Sequence, residues 1–177
     1  MTMSEPHVQF ELNCNIIIRQ MQREDLPKIE WHGQFTHFRT MFMKSYAEQM
    51  QGRRHLLVAV MNNYPIGRLF ILKRDQTGHR PQERRRGYLY SFQVLEPFQG
   101  MGIGSQLLAE AQDYLRRQHY GLATISVARV NHRALRLYQR HGFRIFAEDA
   151  GEWTYTDHRG TLRKVSEPCY LLEKQLS

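Results

Sequence analysis

Between Leu95 and Ser105 the chain reads Leu-Glu-Pro-Phe-Gln-Gly-Met-Gly-Ile-Gly-Ser. A strand-like run over 88–95 stops at Pro97, glycines stand at 100, 102 and 104, and an amphipathic pattern begins at once. A helix start offers unpaired backbone N–H groups and a partial positive charge. Glycines let an anion's oxygens come close to that backbone. Strand, glycine turn and helix in this order read as a pyrophosphate cradle. Two common cradles are excluded. G-x-G-x-x-G needs glycine where Ser105 stands, and G-x-x-x-x-G-K-[ST] needs glycine and lysine where Ser105 and Gln106 stand.

Periodicity places the rest. Residues 15–20 (NIIIRQ) read as a strand. Asp25 and Pro27 suggest a capped helix over 23–34, and Phe38, Phe42, Tyr46 and Met50 recur every fourth residue, predicting a helix over 36–50. Strands follow over 55–61 and 66–73, joined by Asn62-Asn63-Tyr64-Pro65. Residues 75–86 (DQTGHRPQERRR) are polar and arginine-rich, a loop, and 88–95 is a third strand of that group. Leu107, Leu108, Ala111, Tyr114 and Leu115 predict a helix over 104–118. A strand at 123–127, a helix at 131–141 stopped by Gly142, a strand from 144 and a last one over 164–172 complete the chain. The order β-α-α-β-β-β-α-β-α-β-β predicts one mixed α/β domain over 1–177.

Composition narrows the partners. Twenty-five Lys and Arg against 17 Asp and Glu leave a formal charge of +8, which favours anionic ligands. Two cysteines, Cys14 and Cys169, suit a reducing cytoplasm and cannot build a disulfide scaffold or zinc cage. No HExxH or short Cys/His cluster is present, so no metal is expected. The longest apolar run, Leu56–Met61, is far short of the roughly 20 residues a membrane span needs. The start, MTMSEPHVQFELN, lacks the basic-then-apolar order of a secretory signal.

Gln99-x-x-Gly102-x-Gly104 fits [Q/R]-x-x-G-x-[G/A], and residues 131–143 fit N-x-x-A-x-x-x-Y-x-x-x-G-F through Asn131, Ala134, Tyr138, Gly142 and Phe143. On these motifs the chain resembles the GNAT superfamily of acetyl-CoA-dependent N-acetyltransferases, most sharply over about 87–146. The resemblance implies a single-domain GNAT fold. Its sheet would be mixed but mostly antiparallel, with six to seven strands, splayed at the acetyl-CoA cleft and flanked by about four helices. It implies acetyl-CoA as co-substrate and an amine acceptor. Backbone of Phe92, Gln93 and Val94 would pair with the pantetheine arm, and an N–H there would hold the thioester oxygen. Gln99, Gly100, Met101, Gly102, Ile103, Gly104 and Ser105 would form the pyrophosphate turn. Asn131 would contact pantetheine, and Tyr138 would protonate the leaving thiolate as general acid. Asn131 is equally a good N-cap, and Tyr138 shares a helix face with Ala134 that could pack on the sheet.

The same resemblance leaves the general base unassigned. Where relatives carry a glutamate on the glycine-loop strand stands Tyr88, and where ribosomal-protein acetyltransferases carry one stands Ser126. Glu148, Asp149, Glu152, Tyr155 and Asp157 are the remaining candidates, and Glu96 is expected to face solvent. Trp31, His32, Phe35, Phe38, Phe42, Trp153 and Tyr155 lie where the family builds its acceptor pocket, and would suit a flat or hydrophobic amine. An acyl-CoA-binding regulatory module without turnover and an RNA- or ribosome-associated protein are the alternatives. No RNP-like motif supports nucleic acid, which is disfavoured; a homodimer is left open.

Overall fold

Branched and aromatic residues build the sheet of the computed structural model, which describes residues 14–74 and 85–176. Strands β1 (Ile16–Gln20), β2 (Arg54–Met61), β3 (Tyr64–Arg74) and β4 (Arg86–Val94) are antiparallel neighbours. Strand β5 (Leu122–Ala128) joins β4 in parallel, and β6 (Arg144–Asp149) forms the far edge. Strands β7 (Glu152–Thr156) and β8 (Leu162–Ser166) make a separate hairpin. The chain then returns as β9 (Cys169–Gln175) between β5 and β6, giving a seven-stranded order β1-β2-β3-β4-β5-β9-β6.

Helix α1 (Arg39–Met50) covers one face of the sheet, and α2 (Ile103–Arg117) and α3 (His132–Arg140) serve the other. The strands between them bury both faces. On β2, Leu57 and Ala59 join the α2 core, while Leu56, Val58 and Val60 pack with Phe42 and Phe70 under α1. This explains the unbroken apolar run there, which strict one-face alternation would not produce. The α2 stripe of Ile103, Leu107, Leu108, Ala111 and Leu115 is fully engaged. Gly87 lets it sit close: a Cβ at that position would fall 2.4 Å from Leu115 Cδ2.

Three expectations are modified. The segment over 23–34 is two 3-10 turns, Arg23–Asp25 and Lys28–Glu30, parted at Leu26 and Pro27, and Trp31 and His32 with left-handed φ values of 44° and 56° end the second. A further 3-10 turn, Thr36–Phe38, precedes α1. The strand over 164–172 is divided into β8 and β9 by Glu167 and Pro168. Of the arginine loop over 75–86, residues 75–84 lie outside the described residues, as does the N-terminal stretch over 1–13. Arg86 opens β4, and Arg85 donates to the Gln118 carbonyl at 2.8 Å with its guanidinium over the Tyr120 ring. Among the described residues no helix is long and apolar enough to cross a membrane.

Candidate functional site

The strands β4 and β5 pair only from Arg86–Leu122 to Leu89–Ile125. Beyond that point β4 continues beside β3 and β5 continues beside β9, so the sheet splays. A bulge sharpens the parting. Ser91 and Phe92 together oppose one residue of β3, and Ser91 takes φ 50°. Its Oγ accepts from Arg68 Nε at 3.1 Å.

A cavity of about 330 Å³ opens at the splay. Phe92, Gln93 and Val94 form one wall, and Asn131, Ala134, Leu137 and Tyr138 of the α3 segment form the other. Gly100, Gly102, Gly104 and Ser105 close its end at the start of α2. Gly100 and Gly102 hold φ values of 85° and 83°, which an L side chain rarely adopts. The two motifs read from the sequence therefore meet across one cleft. Met101 and Ile103 do not present side chains to it. Met101 is 67 % exposed on the opposite side of the turn, and Ile103 is buried in the α2 core. Any part they take in anion binding falls to their backbone.

Gln99 is held at both ends. Its Nε2 donates to the Val94 carbonyl at 2.9 Å, and its Oε1 accepts from Arg133 Nη1 at 2.7 Å. It thus latches the glycine turn to the end of β4. Arg133 and Arg140 were not singled out from the sequence, yet both line the cavity. They stand seven apart on one face of α3, a spacing legible in the motif once its basic residues are read as a stripe. Asn131 Oδ1 accepts from the Ala134 N–H at 3.1 Å, capping α3 while it lines the cavity.

Tyr138 is 5 % exposed, with its ring 6.0 Å from that of Phe92. Burial, with Tyr88 a smaller cause, raises its phenol above the ordinary value. It therefore stays protonated throughout the neutral range, as a proton donor must. Tyr88 and Ser126, at the two positions where a glutamate was sought, have hydroxyls 3.1 Å apart just where β4 and β5 part.

Among the described residues no carboxylate lines this cavity. Glu148 is paired with Arg129 at 2.6 Å, and Asp149 Oδ1 accepts from the Gly151 N–H at 2.7 Å. Asp157 shapes the hairpin turn: the N–H of Thr161 and the guanidinium of Arg163 hold it down at about 2. Glu96 is exposed in the 3-10 turn Glu96–Phe98.

The aromatic residues divide. Trp31 and Phe42 are core, packed around the buried Arg68, whose Cζ lies 4.4 Å and 5.0 Å from their rings. Burial pushes that guanidinium down to about 9, so it remains a cation at neutral pH. His32 stacks on Tyr64 at 5.9 Å. Phe35, Phe38, Trp153 and Tyr155 do converge, joined by His37, with Phe38 4.8 Å from Tyr155 and 4.1 Å from His37.

A sheet splayed beside a glycine turn, with two helices closing the gap, defines the acyl-CoA acetyltransferase architecture. Residues 17–143 match the family model described as the acetyltransferase (GNAT) family, and the chain belongs to that family, an acyltransferase by class. No curated protein matches in sequence. Solved structures share the fold. NAA60 from Arabidopsis thaliana, in complex with acetyl-CoA, is 19% identical with a TM-score of 0.71, over 92% of this chain and 99% of that one. The ribosomal-protein-S18-alanine N-acetyltransferase of Escherichia coli is 18% identical with a TM-score of 0.67, over 92% and 95%. A GNAT-family acetyltransferase from Streptococcus pneumoniae is 21% identical with a TM-score of 0.63, over 92% and 100%.

Proposed function

We propose that the protein transfers an acetyl group from acetyl-CoA to a primary amine by direct attack in a ternary complex. The observation that carries this is the splay itself: past Leu89 the side of β4 turned away from β3 has left β5, and residues 92–94 face α3 across a cavity that ends on the glycine turn. Acetyl-CoA supplies the acetyl group as a thioester. Amides of 100–105 and the guanidiniums of Arg133 and Arg140 hold its phosphates, since helix-start N–H groups and arginine forks both suit such oxygens. The free edge of β4 receives the pantetheine arm as an added strand, with Asn131 contacting it from the other wall. A β4 N–H steadies the thioester oxygen as charge grows there. Tyr138 gives its proton to the departing thiolate. In this reading the hydroxyl pair of Tyr88 and Ser126 passes the proton leaving the amine on to bulk water, which takes it up.

The aromatic cluster of Phe35, His37, Phe38, Trp153 and Tyr155 supports an acceptor with an aromatic or apolar body beside its amine. The free thiols of Cys14 and Cys169 suit a reducing, cytoplasmic setting. The phosphate placement is tested by titrating acetyl-CoA calorimetrically into Arg133→Ala and Arg140→Ala. Losing a charged hydrogen bond of about 1.5–3 kcal/mol should weaken binding about tenfold or more. Arg140→Ala leaves the Arg133–Gln99 bond in place, so a shared loss speaks for charge rather than loop shape. Unchanged affinity in both variants contradicts the placement.

A further inference from the structure

On β3, Arg68 is buried with its Cζ 4.4 Å from the rings of Trp31 and Phe35 and 5.0 Å from that of Phe42. Among the described residues no carboxylate pairs with it. An apolar chain of similar length would fill this place without desolvating a charge. What the guanidinium adds is a pair of donors with partners on two different segments. Nη1 donates to the Ile29 carbonyl at 3.0 Å, and Nε donates to Ser91 Oγ at 3.1 Å.

Ser91 decides which face the end of β4 presents. Along a regular strand, residues 88, 90 and 92 would share one face. Tyr90 packs under α1, with its ring 5.6 Å from that of Phe70. Phe92 instead joins the α2 core and meets Tyr138 across the cavity. The extra residue of the bulge makes this change of face. It holds Ser91 at φ 50°, a conformation that persists only where the surroundings enforce it. Among the described residues Arg68 is the only hydrogen-bond partner of the Ser91 side chain.

The same guanidinium reaches the acceptor side. Ile29 lies in the turn before Trp31, whose Nε1 donates to the Pro65 carbonyl at 2.9 Å and fixes the ring beneath Arg68. Phe35, also against Arg68, begins the aromatic cluster that runs through Phe38 to Trp153 and Tyr155.

We propose that Arg68 is a positioning residue: by bonding Ser91 and Ile29 at once, it holds the β4 bulge, and with it the 92–94 backbone, in register with the aromatic acceptor wall. Its effect on rate rests on the acetyl-transfer reading, whereas its hold on the bulge does not.

A double-mutant cycle of Arg68→Met and Ser91→Ala tests it. The readouts are melting, acetyl-CoA calorimetry, kinetics with the most active amine of a panel, and amide hydrogen exchange over 90–95 in the free protein. Methionine keeps an unbranched chain among the rings, and alanine removes only the hydroxyl. Each single variant should bind acetyl-CoA within about threefold of the wild type, because the glycine turn is distant and untouched. Each should lose about tenfold or more in kcat, since a displaced thioester contact is felt in the transition state. Exchange over 90–95 should quicken about tenfold in each, as a charged hydrogen bond is lost. The double variant should be no worse than Arg68→Met, because the two residues act through one bond. Arg68→Lys, which keeps the charge and one donor, should recover part of both losses. If Arg68→Met does not melt cooperatively, Ser91→Ala and Arg68→Lys carry the test. Losses that multiply in the double variant, unchanged exchange over 90–95, or a kcat loss matched by an equal loss of acetyl-CoA affinity overturn the proposal. A wild type that binds acetyl-CoA but releases no thiol with any amine contradicts the transfer reading, and the exchange cycle then supports or overturns the role of Arg68 by itself.

Discussion

Gly102 and Gly104 belong to one motif but answer to different physics. Gly102 holds φ 83°, where a side chain costs about 1–2 kcal/mol. Gly104 lies inside α2 with no positive φ, and a Cβ there would meet Leu137 Cδ2 at 3.5 Å and Phe92 Cζ at 3.6 Å, ordinary contacts. Gly104→Ala should therefore melt and bind acetyl-CoA much as the wild type does. Gly102→Ala should lose about 1–2 kcal/mol and bind more weakly as the turn's amides shift. Thermal melting and calorimetric titration of the pair check this, and equal behaviour in both would contradict it. Arg68 shows residue-scale economy of another kind. A single cation with 2 % exposure joins the Ile29 carbonyl at 3.0 Å to the Ser91 bulge and lies between three aromatic rings. No sequence motif marks it, because its partners come from three separate segments.

At the scale of elements, the β7–β8 hairpin depends on Asp157. Its carboxylate accepts from the N–H groups of Arg159 and Thr161, each at 2.9 Å, and from Arg163 at 2.8 Å, while Thr40 donates to its carbonyl at 3.1 Å and ties the turn to α1. The folded value of about 2 lies below the ordinary 3.8, so this group's contribution is fully present above about pH 4. It is lost as pH falls toward 2. Asp157→Asn should melt below the wild type near neutral pH, with the gap closing at low pH; a gap independent of pH would contradict the assignment. The hairpin was only partly legible. Its aromatic residues were visible, but the break before β9 rests on Pro168 and on Gly151, where a Cβ would fall 1.7 Å from the Glu167 carbonyl oxygen. By contrast α2 and α3 were legible, since their stripes and terminal glycines are local signals. The left-handed turns at Trp31 and His32 that end the 23–34 segment leave no mark in hydrophobic spacing.

For the whole molecule, the cleft exists because β4 and β5 are parallel neighbours that each find another partner past Leu89 and Ile125. Both motifs were legible as local sequence, and their meeting followed from the family resemblance. What the sequence withheld was long-range: which arginines reach the cavity, and the contact between Tyr88 and Ser126 across two strands. We propose that this cleft performs acetyl transfer with Tyr138 as its acid. The direct test is release of the CoA thiol from acetyl-CoA over a panel of amines, run on the wild type and on Tyr138→Phe. The phenylalanine keeps the ring between Phe92 and Phe143, so folding and acetyl-CoA affinity should be preserved. The expected result is amine-dependent thiol release by the wild type and a loss of about 10²–10⁴ in kcat and kcat/KM alike in the variant. Acetyl-CoA binding without release for any amine, or a variant that turns over at the wild-type rate, would contradict it.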